Sequence, residues 1–428
     1  QMNQIALVAI LAGGLTGRPV DLSGWMSLAL TGSGEIIQAE AGLEQADAAY
    51  SIARSSLLPR LVFNASAGHS WSSMEVEPAG HVDIESDHYT AGLTLSQEIL
   101  GSVGSSWLAL RSASLGRERS DLQRRVALLS LERSVAAAYY GAVGAVELVA
   151  SSEAALERST ALLDRMEMLY ELGAARELDL LEARMRESAD RLALLRNEQA
   201  LTQSITELRR IAGVSGDTTM TVDTSAVLTP LTREAILALP TDYSENPSLK
   251  TADLALEEST LDLRAARRSY WPSLVASASW SWSDDEFEPE DAHLNDTWNV
   301  GVSLTWSIFD GWLREGRIQS AGAGRLAAEA AAGSAEGDVE AAVRAAWDEL
   351  LASSDNLALA GMTLEYATRR MELSQLSYEL GDLAVTDLLD AQADLSEAEA
   401  KLVSARTACL VAEAGYWVLL GRSPRLGE

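Results

Sequence analysis

The chain has 428 residues, of which 47% are hydrophobic, so it can bury a sizeable core, and this argues against wholesale disorder. Its formal net charge of −30 excludes the basic surface that nucleic-acid phosphates require, so no nucleic-acid partner is expected. The single cysteine, Cys409, excludes an internal disulfide and a cysteine-based zinc site.

The N-terminal segment, residues 1–32, contains a short apolar stretch from Ile5 to Gly17. Two interpretations remain open: the core of a former signal peptide, or a segment held loosely against the protein. No run of about 18 apolar residues occurs in the chain, so no transmembrane helix is expected.

The rest of the chain consists of two copies of one unit. The sequence YELGAARELDLLEAR, Tyr170–Arg184, matches YELGDLAVTDLLDAQ, Tyr378–Gln392, at an offset of 208 positions (378 − 170). Upstream, Pro59 matches Pro272 at an offset of 213 (272 − 59), and the offset changes in polar segments that we interpret as loops. The predicted boundaries are 33–215 for repeat 1, 216–245 for a linker, 246–424 for repeat 2 and 425–428 for a tail. The linker and the termini are expected to form a small belt.

Each repeat begins with two predicted strands, 60–71 and 88–99 in repeat 1 and 273–283 and 297–308 in repeat 2. In each of them apolar residues alternate with Ser, Thr, Gly or Asn; Trp298, Val300 and Val302, for example, alternate with Asn299 and Gly301. A period of two predicts a strand with one apolar and one wet face, and about ten residues is also the length that crosses a bilayer.

The composition of the two strand faces favours a membrane protein. A face of small polar residues is typical of a water-filled lumen, and Trp280, Trp282, Trp298 and Trp306 suit an aromatic belt in contact with lipid. A soluble sandwich with aromatic core faces is the alternative. Four strands cannot close a barrel, which needs about eight, so the membrane interpretation requires several copies of the chain.

Polar tips join the strands of each pair, at Ser72–His88 and Ser283–Asp296. All four histidines lie in or beside these acidic segments. A divalent-cation site and a hydrated acidic surface both remain open, and no spacing of metal ligands identifies a metal or another cofactor.

Each repeat then continues as a long helical hairpin, 103–213 and 313–421, without proline. Apolar residues recur every seven positions, which predicts a coiled-coil seam. These rows are Val149, Leu156, Leu163 and Tyr170; Leu357, Leu364, Met371 and Tyr378; Leu178, Met185 and Leu192; and Leu181, Ser188 and Leu195. We assign Met166, Met168, Met185 and Met371 to the core of this packing. Gly173 and Gly381 are the predicted helix stops at the two hairpin tips.

These features together resemble the TolC-like outer membrane efflux protein family. The resemblance is carried by ARSSLLPRL and AARRSYWPSL before the first strands, by LTWSIFDGW, Leu304–Trp312, and by the two YELG tips. It implies a mainly α fold with a β-barrel part. In it, three chains form a trimeric 12-stranded outer-membrane β-barrel, continued by a long coiled-coil α-helical barrel.

The resemblance also implies the function. The chain would be a passive exit duct of a tripartite efflux or type I secretion system, in the cell outer membrane and extending into the periplasm. It would be no enzyme and need no cofactor. The implied partners are two further copies, a periplasmic adaptor (membrane fusion) protein, an inner-membrane transporter and outer-membrane lipid. A non-conducting coiled-coil spacer or adhesin-like fibre is the alternative, against which the wet strand face argues.

The resemblance implies a gate at the periplasmic end. Asp387 and Asp390 match the family's constricting aspartates after the second tip, and Asp179 and Glu182 are their counterparts in repeat 1. Such a ring of carboxylates would attract cations and shift the pKa of each member. Asp179 and Asp387 are also placed to cap the returning helices, and both roles can hold together.

The adaptor is expected to dock at the tips, on Tyr170, Leu172, Gly173, Ala174, Tyr378, Leu380, Gly381, Asp382 and Leu383. Members of the family often carry a basic residue shortly after the second-tip glycine, where this chain has Asp382 and Leu383, so no closed-state salt bridge is expected from there. In the first tip, Arg176 is expected to pair with Glu177 or with an acid of a neighbouring hairpin.

Overall fold

The computed structural model describes residues 19–76, 80–100, 102–214, 220–225, 229–285 and 296–424, so the apolar stretch 5–17 and the tail 425–428 lie outside it. The helices are α1 (Leu22–Gly32), α2 (Gly34–Ser55), α3 (Ser102–Glu171), α4 (Glu177–Ile211), α5 (Arg233–Leu237), α6 (Pro247–Arg268), α7 (Leu313–Glu379) and α8 (Val385–Leu419). The strands are β1 (Pro19–Val20), β2 (Arg60–Val76), β3 (Gly80–Leu100), β4 (Thr221–Val222), β5 (Ser273–Asp284) and β6 (Asp296–Thr305).

The chain divides into two compact units. The first, the helical unit, comprises Gln1–Ala41, Leu122–Lys250 and Ala335–Glu428; the second, the sheet unit, comprises Gly42–Asp121 and Thr251–Ser334. Helices α2, α3, α6 and α7 each contribute residues to both units.

The sheet unit is built around one four-stranded antiparallel sheet in the order β2–β3–β5–β6. One row across all four strands consists of Phe63, Leu93, Trp280 and Trp298, and the next row consists of Asn64, Gly92, Ser281 and Thr297. Because directly paired residues point to the same face, one face is apolar and the other polar. All residues of β6 are exposed in the single chain, and among the described residues no second sheet covers it, which excludes the sandwich.

The strand bounds differ from the predicted ranges. β2 and β3 extend through most of Ser72–His88, which the sequence indicated as a loop, and β6 ends at Thr305 instead of residue 308. The first part of β3, residues 80–88, pairs only with β2, and this two-stranded ribbon has polar side chains on both faces. The alternation that identifies a half-buried strand is therefore missing there.

The helical unit contains the belt region. Trp25 and Leu28 of α1 are buried in one cluster with Tyr139 of α3 and Leu208 of α4. β1 pairs in parallel with β4, so the N-terminal segment and the linker meet. The hydroxyl of Tyr139 donates to the Asp223 carbonyl at 2.6 Å and fixes the linker against α3.

Two further clusters hold the helices of this unit together. Near the hairpin tips, Met166 of α3, Leu180 of α4, Met371 of α7 and Leu388 of α8 share one core, so the two hairpins pack against each other. The other cluster joins α5, α7 and α8 and contains Ile236, Val339, Val343, Leu350, Cys409, Tyr416 and Leu420.

The heptad rows are only partly buried within one chain. Met166 and Met371 are in the core as predicted, but Met168 and Met185 are mostly exposed and do not belong to the core of the single chain. Met185 lies in an exposed row of α4 with Leu178 and Leu192. This apolar row has no partner within the described chain.

Two helices, Gly104–Glu171 and Val385–Leu419, pass a test of length and composition for crossing a membrane, although the sequence predicted none. Tyr139 and Val143 of the first helix and Leu410 of the second are buried in the same cluster as Trp25 of α1. Part of their apolar surface therefore belongs to a protein core, and length and composition alone assign no span.

Candidate functional site

The two hairpin tips have the same backbone geometry. Gly173 has a φ of 71° and Gly381 a φ of 82°, the left-handed region that glycine adopts at little cost. The amide of Ala174 donates to the Leu169 carbonyl at 2.7 Å, and that of Asp382 to the Ser377 carbonyl at 2.9 Å. These are Schellman caps, which end α3 and α7 and turn the chain back.

The predicted docking residues form two exposed apolar tips. Leu172 is 75% exposed and Leu380 is 70% exposed. Tyr170, Ala174 and Asp382 are also exposed, whereas Tyr378 and Leu383 are half-buried. The tip residues thus comprise an exposed set and two half-buried residues.

Tyr378 connects the two hairpins. Its hydroxyl lies 3.7 Å from Sδ of Met166 on α3, and the guanidinium of Arg165 lies 5.6 Å from its ring centre. Burial raises the pKa of Tyr378, so its hydroxyl stays neutral. The sequence analysis did not identify Arg165. The one sequence feature connected with it is the heptad row of α7, which ends at Tyr378, the residue that Arg165 contacts.

Asp179 has a cation beside it in the described chain. Its carboxylate accepts from Arg176 Nη2 at 2.7 Å, Arg176 Nε at 3.0 Å and the Arg176 backbone amide at 3.3 Å. The side-chain hydrogen bond from Arg176 holds the pKa of Asp179 below its usual value. The expected pairing of Arg176 with Glu177 is therefore wrong, because the N-cap residue of α4 faces the third helical residue and not the first.

Asp387 is the counterpart of Asp179 at the start of α8 and is differently placed. The N-cap residue is Ala384, which offers no side-chain hydrogen bond. Asp387 and Asp390 are both exposed, and within the described residues neither makes a hydrogen bond or ion pair. Capping thus applies to Asp179 and not to Asp387.

Glu182 completes the predicted gate residues. It is half-buried, and its Oε2 atom is buried without a hydrogen-bond partner. Asp179 and Glu182 are one turn apart on α4, as Asp387 and Asp390 are on α8, so each pair projects from one helical face. The four predicted gate carboxylates lie within the first two turns of the two returning helices.

The predicted aromatic belt is exposed only in part. Trp298 and Trp306 are largely exposed and Trp280 is half-buried. Trp280 and Trp298 each donate their indole N–H to Asp296 at 3.2 Å. Trp282 is only 5% exposed, so within one chain it does not present its indole to lipid, and its place in the belt is corrected.

Beside the first acidic segment, His69 of β2 makes a polar contact with a carboxylate. His69 Nδ1 lies 2.7 Å from an Asp87 carboxylate oxygen across the β2–β3 ribbon. Over the described ranges, no three His, Cys, Asp or Glu side chains come together as a metal ion requires. Residues 286–295, the core of the second acidic segment, lie outside the described residues.

Comparisons with known proteins identify the same features. The family model for outer membrane efflux proteins matches residues 25–214 and 243–422, so the predicted duplication and resemblance are confirmed. The chain is 26% identical to outer membrane protein TolC of Vibrio cholerae over 379 residues, which is 85% of this chain and 82% of that protein. It is also 26% identical to the pyoverdine export outer membrane protein OpmQ of Pseudomonas aeruginosa, over 94% of this chain and 85% of that protein.

The fold matches a solved channel. The structure of the Campylobacter jejuni CmeC outer membrane channel superimposes on this chain with a TM-score of 0.80 at 18% identity. The match covers 94% of this chain and 85% of the CmeC chain. The mainly helical fold with four antiparallel strands is therefore confirmed.

Proposed function

The chain belongs to the outer membrane efflux protein family, and from this premise we propose that three copies assemble into one duct with a single gate at its periplasmic end. The chain is a TolC-like outer-membrane efflux channel that extends into the periplasm, and it is not an enzyme. In the proposed trimer the strands form a 12-stranded barrel (3 × 4), and the four long helices of each chain form the tunnel.

The single observation that carries the proposal is the four-stranded sheet with one apolar and one polar face. Its outer strands, β2 and β6, have no further strand beside them in the described chain. Unpaired backbone groups are very costly in lipid, and four strands are too few to close on themselves. Pairing of β6 with β2 of the next copy removes both edges and places the polar face around a lumen.

The exposed apolar row of α4 supports the same assembly. Leu178, Met185 and Leu192 repeat every seven residues and are exposed in one chain. A heptad row is a seam that needs a partner helix, and a second copy supplies one.

We assign the gate to the carboxylates of the returning helices, foremost Asp387 and Asp390. In a trimer these two residues give six carboxylates (2 × 3) with no neutralising cation beside them in the described chain. Asp179 contributes less to the field because Arg176 is bound to it. A narrow acidic ring favours cations and resists anions.

We assign adaptor docking to the two tips, on the basis of the exposed Leu172 and Leu380. The inner-membrane transporter supplies the energy in this arrangement, so the chain itself needs no cofactor.

Single-channel conductance in a planar bilayer tests the duct and the gate together. Wild type is expected to give small, cation-selective steps, and Asp387→Ala/Asp390→Ala larger and less selective ones. A control that also removes two exposed carboxylates, Asp348→Ala/Glu349→Ala on α7, is expected to behave as wild type. Equal effects of the two double variants would move the constriction elsewhere, and well-folded oligomers without conductance would favour the fibre.

A further inference from the structure

Where β6 ends, the chain makes a turn that carries five large and mostly exposed apolar side chains, Trp306, Ile308, Phe309, Trp312 and Leu313. Ile308 is 82% exposed and Phe309 is 74% exposed. Trp306 and Ile308 continue the even-numbered apolar face of β6. Trp312 has a φ of 69°, a left-handed conformation unfavourable for a bulky side chain, and is the only non-glycine residue of the described chain with a positive φ. Such strain persists where position or function requires it.

Side chains of this turn line a cavity of about 210 Å³ that is partly open to solvent and far larger than the ~15 Å³ that holds one water molecule. Its walls are aromatic, formed by Tyr270, Trp306, Phe309 and Trp312. Trp306 donates its indole N–H to the Tyr270 carbonyl at 3.2 Å, which fixes two of these walls to each other.

The floor of the cavity is charged. Arg314 is only 8% exposed and donates to the Ile308 carbonyl at 3.0 Å. Its Nε atom lies 2.9 Å from an Asp310 oxygen, close enough for an ion pair although the N–H does not point along the contact. Its guanidinium lies 4.8 Å from the Tyr270 ring centre. Arg314 and Asp310 therefore neutralise each other.

Of the three charged side chains that line the cavity, Glu315 is the one without a counter-charge. Its Oε1 atom accepts the Tyr270 hydroxyl at 2.8 Å, and its Oε2 atom is buried with no hydrogen-bond partner. A buried carboxylate oxygen without a partner is unfavourable. A cation in the cavity would offset the charge of the Glu315 carboxylate, although Oε2 itself is closed to solvent, and aromatic side chains beside a carboxylate are the surroundings that bind ammonium groups.

We propose that this cavity binds the ammonium headgroup of a membrane phospholipid such as phosphatidylethanolamine. Glu315 supplies the counter-charge and the aromatic side chains enclose the headgroup, while Ile308 and Phe309 lie among the acyl chains. The proposal rests on the outer-membrane location of the chain and on the continuity of the turn with the apolar face of the sheet. Tryptophan prefers this interfacial depth.

Native mass spectrometry of the purified full-length protein tests the headgroup. The protein is equilibrated in micelles that contain equal amounts of phosphatidylethanolamine and phosphatidylglycerol, and the retained lipid is measured. Wild type is expected to retain the amine lipid at least about fivefold over the glycerol lipid, a preference of the size that one cation–π and ion contact gives. Glu315→Gln, which keeps the shape and loses the charge, is expected to abolish the preference.

Glu329→Gln is the matched control, since Glu329 lies on the same helix, is exposed and pairs with Arg325. It is expected to keep the wild-type preference. Trp312→Gly is a second variant that retains the fold, because glycine accepts the φ of 69°. It removes one aromatic wall and is expected to lower retention of the amine lipid severalfold. Equal retention of both lipids by wild type, or an unchanged preference in Glu315→Gln, would overturn the proposal.

The depth of the turn is tested separately with a bimane label on Phe309→Cys; the native Cys409 is fully buried and stays unlabelled. Brominated phosphatidylethanolamine in vesicles is expected to quench this label, and aqueous iodide is expected not to. A label shielded from both quenchers would mean that another copy covers the turn, and a label quenched by iodide would mean that water does. Either result would overturn the lipid assignment. The conductance of Asp387→Ala/Asp390→Ala, which tests the proposed duct and gate, is independent of this result.

Discussion

Asp179 and Asp387 occupy the third position of α4 and of α8, one in each repeat, yet their surroundings differ by one side chain. Arg176 precedes α4 and binds Asp179, whereas the equivalent position before α8 is Ala384. A cation in hydrogen-bond contact favours the charged form of a carboxylate and offsets its field. The duplicated unit therefore keeps one acid for capping and leaves the other free.

Removal of the Asp179 carboxylate by Asp179→Ala is expected to loosen the first turn of α4. The amide hydrogens of that turn are expected to exchange about two- to fivefold faster at pH 7, the size of a lost helix cap. Hydrogen–deuterium exchange read by mass spectrometry measures this. Asp387→Ala is the matched control at the same position of α8 and is expected to change its own helix less; equal changes would contradict the capping role.

The same comparison has a defined pH dependence. The pKa of Asp179 is lower in the folded chain than in the unfolded chain, so its stabilisation is present above about pH 4 and is lost as the pH falls through the folded pKa. The difference between wild type and Asp179→Ala is therefore expected to vanish at a pH below that folded pKa. A difference that persists at that pH would assign the effect to packing and not to charge.

Four glycines end the four long helices with positive φ, and two of them are also sterically enclosed. A Cβ atom on Gly173 or Gly381 would meet open space, whereas one on Gly213 would overlap the backbone of Gly32. Gly173→Ala is expected to cost about 1 kcal/mol, from the left-handed backbone alone. Gly213→Ala is expected to cost about 1–3 kcal/mol more, since α1 must move.

Thermal unfolding followed by circular dichroism in detergent measures this difference. Gly213→Ala is expected to unfold at a clearly lower temperature than Gly173→Ala, with Gly421→Ala resembling Gly213→Ala because its Cβ would lie 2.7 Å from the Glu245 carbonyl oxygen. Equal unfolding temperatures for Gly173→Ala and Gly213→Ala would show that α1 does not hold Gly213.

At the scale of the elements, the strands were predictable where the sheet has one apolar and one polar face, and not elsewhere. Alternation at Trp298–Leu304 predicted the strand and its apolar face, and the register pairs each apolar residue of this stretch with an apolar residue of β5. The outer part of the β2–β3 ribbon has polar residues on both faces, so no period of two was available. The insertion of five residues in repeat 1 (213 − 208) falls within this longer hairpin.

The helices show a related limit. Heptad rows predicted the hairpins, but a row states only that a partner exists and not whether it belongs to the same chain. Met371 and Met185 have the same heptad spacing, and only Met371 is buried within the protomer. Helices α2 and α6, which precede the first strand of each repeat, were not predicted; in α2 Ile36 alone is buried, so no row of buried apolar residues marks that helix.

The tip hairpin is the element to which we assign docking, and Gly381→Pro tests that assignment. Proline fixes φ near −65°, so it cannot adopt the φ of 82° at this position, and it removes the amide that donates to the Tyr378 carbonyl. The tip is expected to be displaced and export by cells to be lost, while oligomers still form.

Gly381→Ala is the control, because it keeps the amide and meets open space. It is expected to retain most export. Complementation of a strain that lacks the channel, scored by survival in the presence of an exported toxicant, measures both variants. Unimpaired export by Gly381→Pro would refute docking at this tip.

At the scale of the whole molecule, each single chain has two surfaces that no other described part of the chain covers. The sheet unit exposes two strand edges, and the helical unit exposes the apolar row of α4. The remaining surface is strongly acidic, since 63 acidic residues outnumber 33 basic ones. A net charge of this size keeps chains apart unless specific contacts outweigh the repulsion, so in the proposed trimer we expect the apolar row and the strand edges to set which surfaces meet.

The proposed trimer is tested at the α4 row by Met185→Glu. Met185 is 66% exposed in one chain, so a charge there costs the isolated protomer little, but it would be buried against a partner helix in the trimer. The trimer is expected to dissociate or to unfold at lower temperature, measured by light scattering after size exclusion in detergent. Gln199→Glu adds the same charge at an exposed polar position of α4 and is expected to keep the mass of three chains. If Met185→Glu also keeps that mass and its stability, the apolar row is not an interface, and the closure of the barrel has to be carried by the strand edges alone.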